Sequence, residues 1–158
     1  MDKQLVSILV PIYNGQKFLT EFLDSIKKQT YRPIELILRD DCSKDASVNL
    51  CEKWKENNAE CDFTINLIKG EKNIGLSQNV AKLAQYARGK FIFLADQDDI
   101  WLKDKVLKQV EYLENNPECV VCLSDRSITD AKLNVRIKSN YEYLGYSKTS
   151  MEMKEVIK

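Results

Sequence analysis

An apolar segment runs directly into a cluster of carboxylates in the stretch Phe91-Ile92-Phe93-Leu94-Ala95-Asp96-Gln97-Asp98-Asp99. Five consecutive apolar residues, aromatic and β-branched side chains among them, predict a strand that is covered on both faces. Such a strand lies in the middle of a mainly parallel sheet between two helical layers. The carboxylates then fall in the loop at its carboxyl end, where parallel sheets bind their ligands.

The rest of the chain alternates strand-like and helix-like patterns. Short apolar runs predict strands at residues 6–10, 34–38, 63–68 and 120–123, besides the one at 91–95. Apolar residues at helical spacing predict four intervening helices, with Asn14 as a plausible N-cap of the first. This order requires βαβ units, so we expect a three-layer α/β/α domain with a mainly parallel central sheet.

The composition excludes several classes of function. The chain has 158 residues, and 24 basic side chains balance 24 acidic ones, so no net positive field favours nucleic acid. Histidine is absent, which rules out a Ser-His-Asp triad, a Cys-His pair and a histidine-bound catalytic zinc. Any acid-base or metal chemistry must therefore use carboxylates.

The cysteines and the apolar segments indicate a cytoplasmic chain. Five cysteines and no recognisable export signal favour reduced thiols, and the CxxC spacing of Cys119 and Cys122 falls within an apolar run. We expect buried thiols there rather than a zinc site. No run of about 18 apolar residues predicts a membrane-spanning helix.

Unusual residues cluster in the four loops that follow the predicted strands. Because these loops meet at one edge of a parallel sheet, their side chains are candidates for a shared site. The candidates, in chain order, are Pro11, Tyr13, Asn14, Asp41, Asn73, Asn79, Asp96, Asp98 and Asp99.

The acidic run at residues 96–99 has two interpretations. Three carboxylates within four residues repel one another, and a Mg²⁺ or Mn²⁺ ion that also binds a diphosphate would neutralise them. Alternatively, the acids cap the helix that follows. The chain has no GxxxxGK[ST] or GxGxxG motif, which disfavours nucleoside triphosphatases and dinucleotide oxidoreductases.

Five segments, in order along the chain, resemble the inverting family-2 glycosyltransferases, whose nucleotide-sugar-binding fold is called GT-A. They are Ser7-Ile-Leu-Val-Pro-Ile-Tyr-Asn14, Ser25-Ile-Lys-Lys-Gln-Thr-Tyr31, Asp40-Asp-Cys-Ser-Lys-Asp45, Asn73-Ile-Gly75 with Asn79, and Asp96-Gln-Asp-Asp99. The extended form Asp96-Gln-Asp-Asp-Ile-Trp101 is similar to bacterial enzymes that build rhamnose-containing and other surface polysaccharides. The resemblance implies a UDP- or dTDP-sugar donor and does not choose between them.

The resemblance also implies roles for the candidate residues. Tyr13 would stack on the pyrimidine in a pocket shaped by Pro11, and Asp41 would bond the base edge. Asp98 would coordinate Mn²⁺ or Mg²⁺ at the diphosphate. The other residues expected at the donor or the metal are Asn14, Asn73, Asn79, Asp96 and Asp99.

Family members continue well past this length, and the continuation carries the acceptor site and the catalytic base. We therefore expect residues 1–125 to form the donor domain and 126–158 to begin an incomplete acceptor-side region. The base would lie beyond residue 158. The implied acceptor is a saccharide or a lipid-linked glycan, used in the cytoplasm or at the inner face of the membrane. Exposed apolar surface on a partial domain also predicts self-association.

Two alternatives belong to other classes of protein. A sugar nucleotidyltransferase has a similar sheet but needs a glycine-rich basic loop after its first strand, which this sequence lacks. A receiver-like signalling module places its acids after the first and third strands. Here the acids follow the second and fourth.

Overall fold

The computed structural model describes residues 3–130 and 132–146. The chain forms two compact units, which divide along the sequence between Val106 and Leu107. The first unit contains β1 (Val6–Ile12), α1 (Leu19–Lys27), β2 (Ile34–Asp40), α2 (Ser47–Asn58), β3 (Phe63–Lys69), α3 (Leu76–Ala84) and β4 (Phe91–Leu94). Helix α4 (Lys105–Asn115) begins in the first unit and continues into the second.

The first unit is built on a parallel four-stranded sheet. Its strands lie in the order β3-β2-β1-β4, and each neighbouring pair is parallel. Val6 pairs with Ile34 on one side and with Phe91 on the other, so β1 and β2 are the inner strands. This topology confirms the predicted mainly parallel sheet.

Helices cover both faces of the sheet. On one face Leu83 of α3 packs in a fully buried cluster with Leu9 and Ile37. On the opposite face the ring of Trp54 in α2 meets Phe63 edge-on, with 6.3 Å between ring centroids. Alternate side chains of a strand point to opposite faces, which explains how β1 and β2 fill both layers of core. The three-layer α/β/α architecture is therefore confirmed.

The predicted central position of the fourth strand was wrong. Strand β4 is at the edge of the described sheet, and its residues Ile92 and Leu94 are 54% and 63% exposed. An apolar run indicates that both faces suit a covered position, but it carries no information about which strands are neighbours.

The predicted fifth strand at residues 120–123 was also wrong. No strand includes residues 119–123 in the described part of the chain, and Val120, Val121 and Leu123 are exposed. Apolar β-branched residues favour a strand, but a strand forms only when a neighbour accepts its backbone hydrogen bonds.

The second unit contains a short antiparallel pair, β5 (Ile128–Thr129) and β6 (Val135–Ile137), followed by α5 (Asn140–Tyr143). Asp130 closes the turn between the strands by accepting hydrogen bonds from the N–H groups of Lys132 and Asn134. The proposed division at residue 125 stays a prediction. Within the described residues, no helix is both long and apolar enough to cross a bilayer.

Candidate functional site

Hydrogen bonds join the loops at the carboxyl ends of neighbouring strands. Asp41, which follows β2, accepts hydrogen bonds from the N–H groups of Ile74 and Gly75 in the loop after β3, at 2.8 to 3.0 Å. Its carboxylate is 2% exposed and also pairs with the guanidinium of Arg39 at 3.1 Å. The base-edge role implied for Asp41 stays a prediction. Here the carboxylate positions the neighbouring loop.

Asn79 supports the same arrangement from helix α3. Its Oδ1 accepts a hydrogen bond from Arg39 Nη1 at 2.9 Å, and its Nδ2 donates to the Arg39 carbonyl at 3.2 Å. The side chain is 1% exposed, so its amide serves Arg39 instead of offering a free group to a ligand. Asn73, by contrast, is exposed and accepts a hydrogen bond from the Gly75 N–H at 3.1 Å.

Asn14 connects the loop after β1 to the loop after β2. Its N–H donates to Ser43 Oγ and its Oδ1 accepts from the Lys44 N–H, both at 2.8 Å. Helix α1 begins only at Leu19, with Phe18 at the N-cap, so the predicted capping role of Asn14 was wrong. Asn14 has a φ of 49°, a left-handed conformation that asparagine tolerates better than most residues. Its side chain therefore joins two loops.

Asp45 strengthens the same junction. It accepts hydrogen bonds from the N–H groups of Gln16 and Ser47, each at 3.0 Å, and from Ser47 Oγ. Burial opposes its ionisation, but the hydrogen bonds from Ser47 and Gln16 outweigh that effect and hold the pKa of Asp45 below its ordinary value. The Gly15 N–H donates to Ser47 Oγ at 2.8 Å. The loop after β1 is thus fixed against the start of α2.

Gln97 joins the loop after β1 to the acidic loop after β4. Its Oε1 accepts from the Tyr13 N–H at 3.1 Å, and its Nε2 donates to the Tyr13 carbonyl at 2.9 Å. The Tyr13 ring is 45% exposed. Pro11, two residues earlier, is partly buried at the end of β1. The chain of contacts runs from Ile74 through Asp41, Asn14 and Tyr13 to the acidic loop.

The structure decides against the acidic run as a helix cap. Asp96, Asp98 and Asp99 are all exposed, and α4 begins at Lys105, six residues after Asp99. A capping carboxylate must lie within the first turn of its helix. The structure therefore places these acids in a loop of their own.

Helix α1 anchors the segment that follows the acids. Gln29, which is 4% exposed, donates to the Leu102 carbonyl at 2.9 Å and accepts from the Val106 N–H at 3.1 Å. Ser25 Oγ accepts from the Trp101 N–H at 3.1 Å. Gln29 satisfies an N–H group in the first turn of α4, which has no partner within its own helix. The acidic loop is held at Gln97 and again directly after it.

The acidic loop fits a metal ion that is bound mainly by its ligand. Among residues 3–130 and 132–146, no three Asp, Glu, Cys or His side chains form a ready-made metal cage. Mg²⁺ and Mn²⁺ at nucleotide sites commonly take one or two carboxylates, with phosphate and water completing the set. The side chains of Asp96 and Asp98 form no hydrogen bond or ion pair with any other described residue, so their oxygens are free to act as ligands.

The chain matches the family model for glycosyl transferase family 2 over residues 7–156. The chain belongs to this family. The match confirms the resemblance that the five ordered segments imply, and it decides against both the sugar nucleotidyltransferase and the receiver-like module.

Two similar glycosyltransferases are longer than this chain. WfgD of Escherichia coli, a UDP-Glc:α-D-GlcNAc-diphosphoundecaprenol β-1,3-glucosyltransferase, is 35% identical over 116 residues, which are 73% of this chain and 44% of WfgD. The glycosyltransferase GlyG of Streptococcus pneumoniae is 37% identical over 97 residues, which are 61% of this chain and 31% of GlyG. The chain therefore spans less than half the length of these relatives.

A solved structure shares the fold of this chain. S. aureus TarS in complex with UDP superposes with a TM-score of 0.64 at 27% identity, over 71% of this chain and 32% of that chain. The GT-A fold predicted from the sequence is thereby confirmed.

Several residues of the candidate site lie outside the predicted set. Gln97, Arg39, Gly15 and Gln29 connect the loops, although sequence patterns gave them no role. One available signal was chemical, since Gln97 is an amide within an acidic run and can donate as well as accept. The others depend on contacts between segments far apart in the sequence.

Proposed function

We propose that this chain is the nucleotide-sugar-binding part of a glycosyltransferase that uses a UDP- or dTDP-sugar and a divalent metal ion. The sugar would pass to a saccharide or lipid-linked acceptor in bacterial surface polysaccharide synthesis. The observation that carries the proposal is the connection between the exposed Tyr13 ring and the free carboxylates of Asp96 and Asp98, made by the amide of Gln97.

The connected groups suit the two ends of a nucleoside diphosphate. A planar base can stack on the exposed ring of Tyr13, since an aromatic side chain offers a large flat contact surface. The carboxylates of Asp96 and Asp98 can hold Mn²⁺ or Mg²⁺ against the diphosphate. The bound metal would stabilise negative charge on the departing nucleoside diphosphate.

The acceptor and the reaction site are inferred from the relatives. The name of WfgD specifies a diphosphoundecaprenol acceptor, a lipid-linked sugar. We propose an acceptor of this class and therefore action at the cytoplasmic face of a membrane. An inverting transfer also needs a carboxylate to deprotonate the acceptor hydroxyl, and we assign that role to none of the residues of the donor site.

Calorimetric titration tests the proposal directly. UDP and dTDP are titrated with and without Mn²⁺ into the wild-type chain, Asp98→Ala and Asp62→Ala. Asp62 is a matched control because it is also an exposed aspartate next to a parallel strand, but it lies at the amino end of β3. We expect Mn²⁺-dependent binding that Asp98→Ala abolishes and Asp62→Ala preserves.

Two results would contradict the proposal. One is the absence of binding to either nucleotide in the presence of Mn²⁺. The other is binding that is equally strong in wild type and Asp98→Ala, because the acidic loop would then have no part in it.

A further inference from the structure

The side chain of Gln97 takes the place of a missing connection between two parallel strands. The last regular contact between β1 and β4 is the hydrogen bond from the Ala95 N–H to the Leu9 carbonyl, at 3.1 Å. In a parallel ladder, every second residue of a strand bonds to the same neighbour. Two residues beyond Leu9 the chain has Pro11, which has no N–H to donate. The backbone connection to β4 therefore ends at this point.

Tyr13 lies in the loop directly after β1 and continues the alternation, and the partner of its N–H is a side chain. Gln97 presents one acceptor and one donor to the Tyr13 backbone, at 3.1 and 2.9 Å, as a peptide group of a neighbouring strand would. The residues are 84 positions apart in the sequence. A carboxylate of the same length could not donate to the Tyr13 carbonyl, and an aliphatic side chain could make neither bond.

Gly15 leaves the space that this side chain needs. A Cβ atom at position 15 would overlap the Oε1 atom of Gln97. The three atoms nearest to this Cβ all belong to the flexible Gln97 side chain. An alanine at position 15 would therefore displace the Gln97 amide without a backbone clash. The glycine at position 15 therefore makes room for the amide of Gln97.

We infer that Gln97 is a positioning residue that sets the distance between the base-binding end and the metal-binding end of the donor site, an inference that rests on the proposed function. Asp96 and Asp98 flank Gln97, so fixing its amide also fixes the backbone that carries both carboxylates. A nucleoside diphosphate that contacts Tyr13 and a metal at these acids spans the Gln97 connection. With the connection intact, the free energy of binding is not reduced by the need to order one loop against the other.

A positioning residue differs from a merely structural one in which ligand affinities change when it is replaced. Removing the connection must weaken ligands that span both ends of the site, and it must leave unchanged a ligand that occupies one end. Uridine offers a base without a diphosphate, and UDP with Mn²⁺ offers both ends.

Gln97→Met keeps the length of the side chain and removes both hydrogen bonds. We expect UDP with Mn²⁺ to bind about tenfold more weakly to Gln97→Met than to wild type, because the ligand must then order the two loops against each other. Uridine, followed by NMR titration of the Tyr13 amide signal, should keep its affinity. The unfolding midpoint in urea reports whether the variant is folded.

Gly15→Ala tests the same connection from its other side and leaves Gln97 in the sequence. It should weaken UDP with Mn²⁺ to the same extent as Gln97→Met, and the two changes combined should be no worse than either alone. This second variant keeps the test decisive if Gln97→Met fails to fold.

Three outcomes would overturn the inference. If wild type binds UDP with Mn²⁺ and both variants bind it equally well, Gln97 has no positioning role and the proposed function stands. If the variants lose affinity for uridine as well as for UDP, the residue is merely structural. If wild type binds no nucleotide at all, the proposed function fails and the inference fails with it.

Discussion

Arg39 and the Asn79 amide are joined by two hydrogen bonds, one from the Arg39 guanidinium and one to the Arg39 backbone carbonyl, although 40 residues separate them in the sequence. Arg39 Nη1 donates to Asn79 Oδ1, and Asn79 Nδ2 returns a hydrogen bond to the Arg39 carbonyl. Arg39 also pairs with Asp41, which accepts from the N–H groups of the loop after β3. A buried guanidinium thus pairs with the Asp41 carboxylate next to a loop of the candidate site.

Asn79→Ala should destabilise the fold by about 1–3 kcal/mol, because it removes the acceptor of a buried Arg39 N–H and the side-chain donor to the Arg39 carbonyl. Urea unfolding of wild type and variant measures the difference. Asn57→Ala is the control, since Asn57 is an exposed asparagine whose amide reaches only the Lys53 carbonyl. Equal losses in the two variants would show that the Arg39 contact contributes nothing particular.

Gln29→Ala should loosen the start of α4 and the segment after the acidic loop. The change removes the acceptor of the Val106 N–H and the donor to the Leu102 carbonyl, both of which Gln29 supplies from α1. We expect faster amide hydrogen exchange at Val106 and a stability loss of about 1–3 kcal/mol. Gln85→Ala, at an exposed glutamine after α3, should change neither quantity. Unchanged exchange at Val106 would contradict the contact.

Protonation of Glu35 should make the fold less stable in acid. Burial opposes its ionisation, but hydrogen bonds from Ser7 Oγ and from the Arg88 N–H and guanidinium outweigh burial and lower the pKa of Glu35. A lowered pKa contributes stability above the unfolded value of roughly 4.3, and this contribution is lost as the pH falls through the folded pKa. Glu35→Gln should therefore be less stable than wild type at neutral pH, with a gap that narrows in acid.

Urea unfolding as a function of pH measures this gap. The control is Glu60→Gln, whose partner is Lys27 at 2.8 Å and whose side chain is 57% exposed. Salt should suppress the effect of the exposed Glu60 pair and leave that of the buried Glu35 contacts largely intact. A gap for Glu35→Gln that stays constant from neutral to acid pH would refute the role of its ionisation.

Cys42→Gly should stabilise the protein by about 0.5 kcal/mol, because Cys42 has a φ of 67°. An L-residue is strained in this left-handed conformation, and glycine is not. Cys61→Gly, at an exposed cysteine outside this conformation, should lower stability instead. Urea unfolding under reducing conditions compares them. A loss in Cys42→Gly as large as that in Cys61→Gly would contradict the strain.

The periodic parts of the fold could be predicted from the sequence. The apolar runs of β1, β2 and β3 and the helical stripe of α3 are local patterns, so their positions followed directly. The edge position of β4 did not follow, because the neighbour of a strand depends on the packing of the whole sheet. Asn14 illustrates the same limit. It does not cap α1 but forms hydrogen bonds with Ser43 and Lys44, which are 29 and 30 positions away in the sequence.

The candidate site was predictable as a set of loops but not as a set of contacts. Parallel topology places the loops after β1, β2, β3 and β4 at one edge, as the sequence order implies. The pairing of Asp41 with Ile74 and of Gln97 with Tyr13 depends on side-chain geometry across 33 and 84 residues. A motif read along the chain identifies Asp96 and Asp98, whereas the amide between them becomes significant only in the folded structure.

Paramagnetic broadening by Mn²⁺ tests most directly whether the acidic loop holds a metal at a nucleotide. Mn²⁺ is added at substoichiometric amounts to the isotope-labelled chain with excess UDP, and backbone amide signals are recorded. We predict the largest losses at residues 96–99, smaller losses at Tyr13, none at Asp62, and no losses in Asp98→Asn. Broadening centred on another acidic segment, such as the turn at Asp130, or broadening unchanged in Asp98→Asn, would contradict the account.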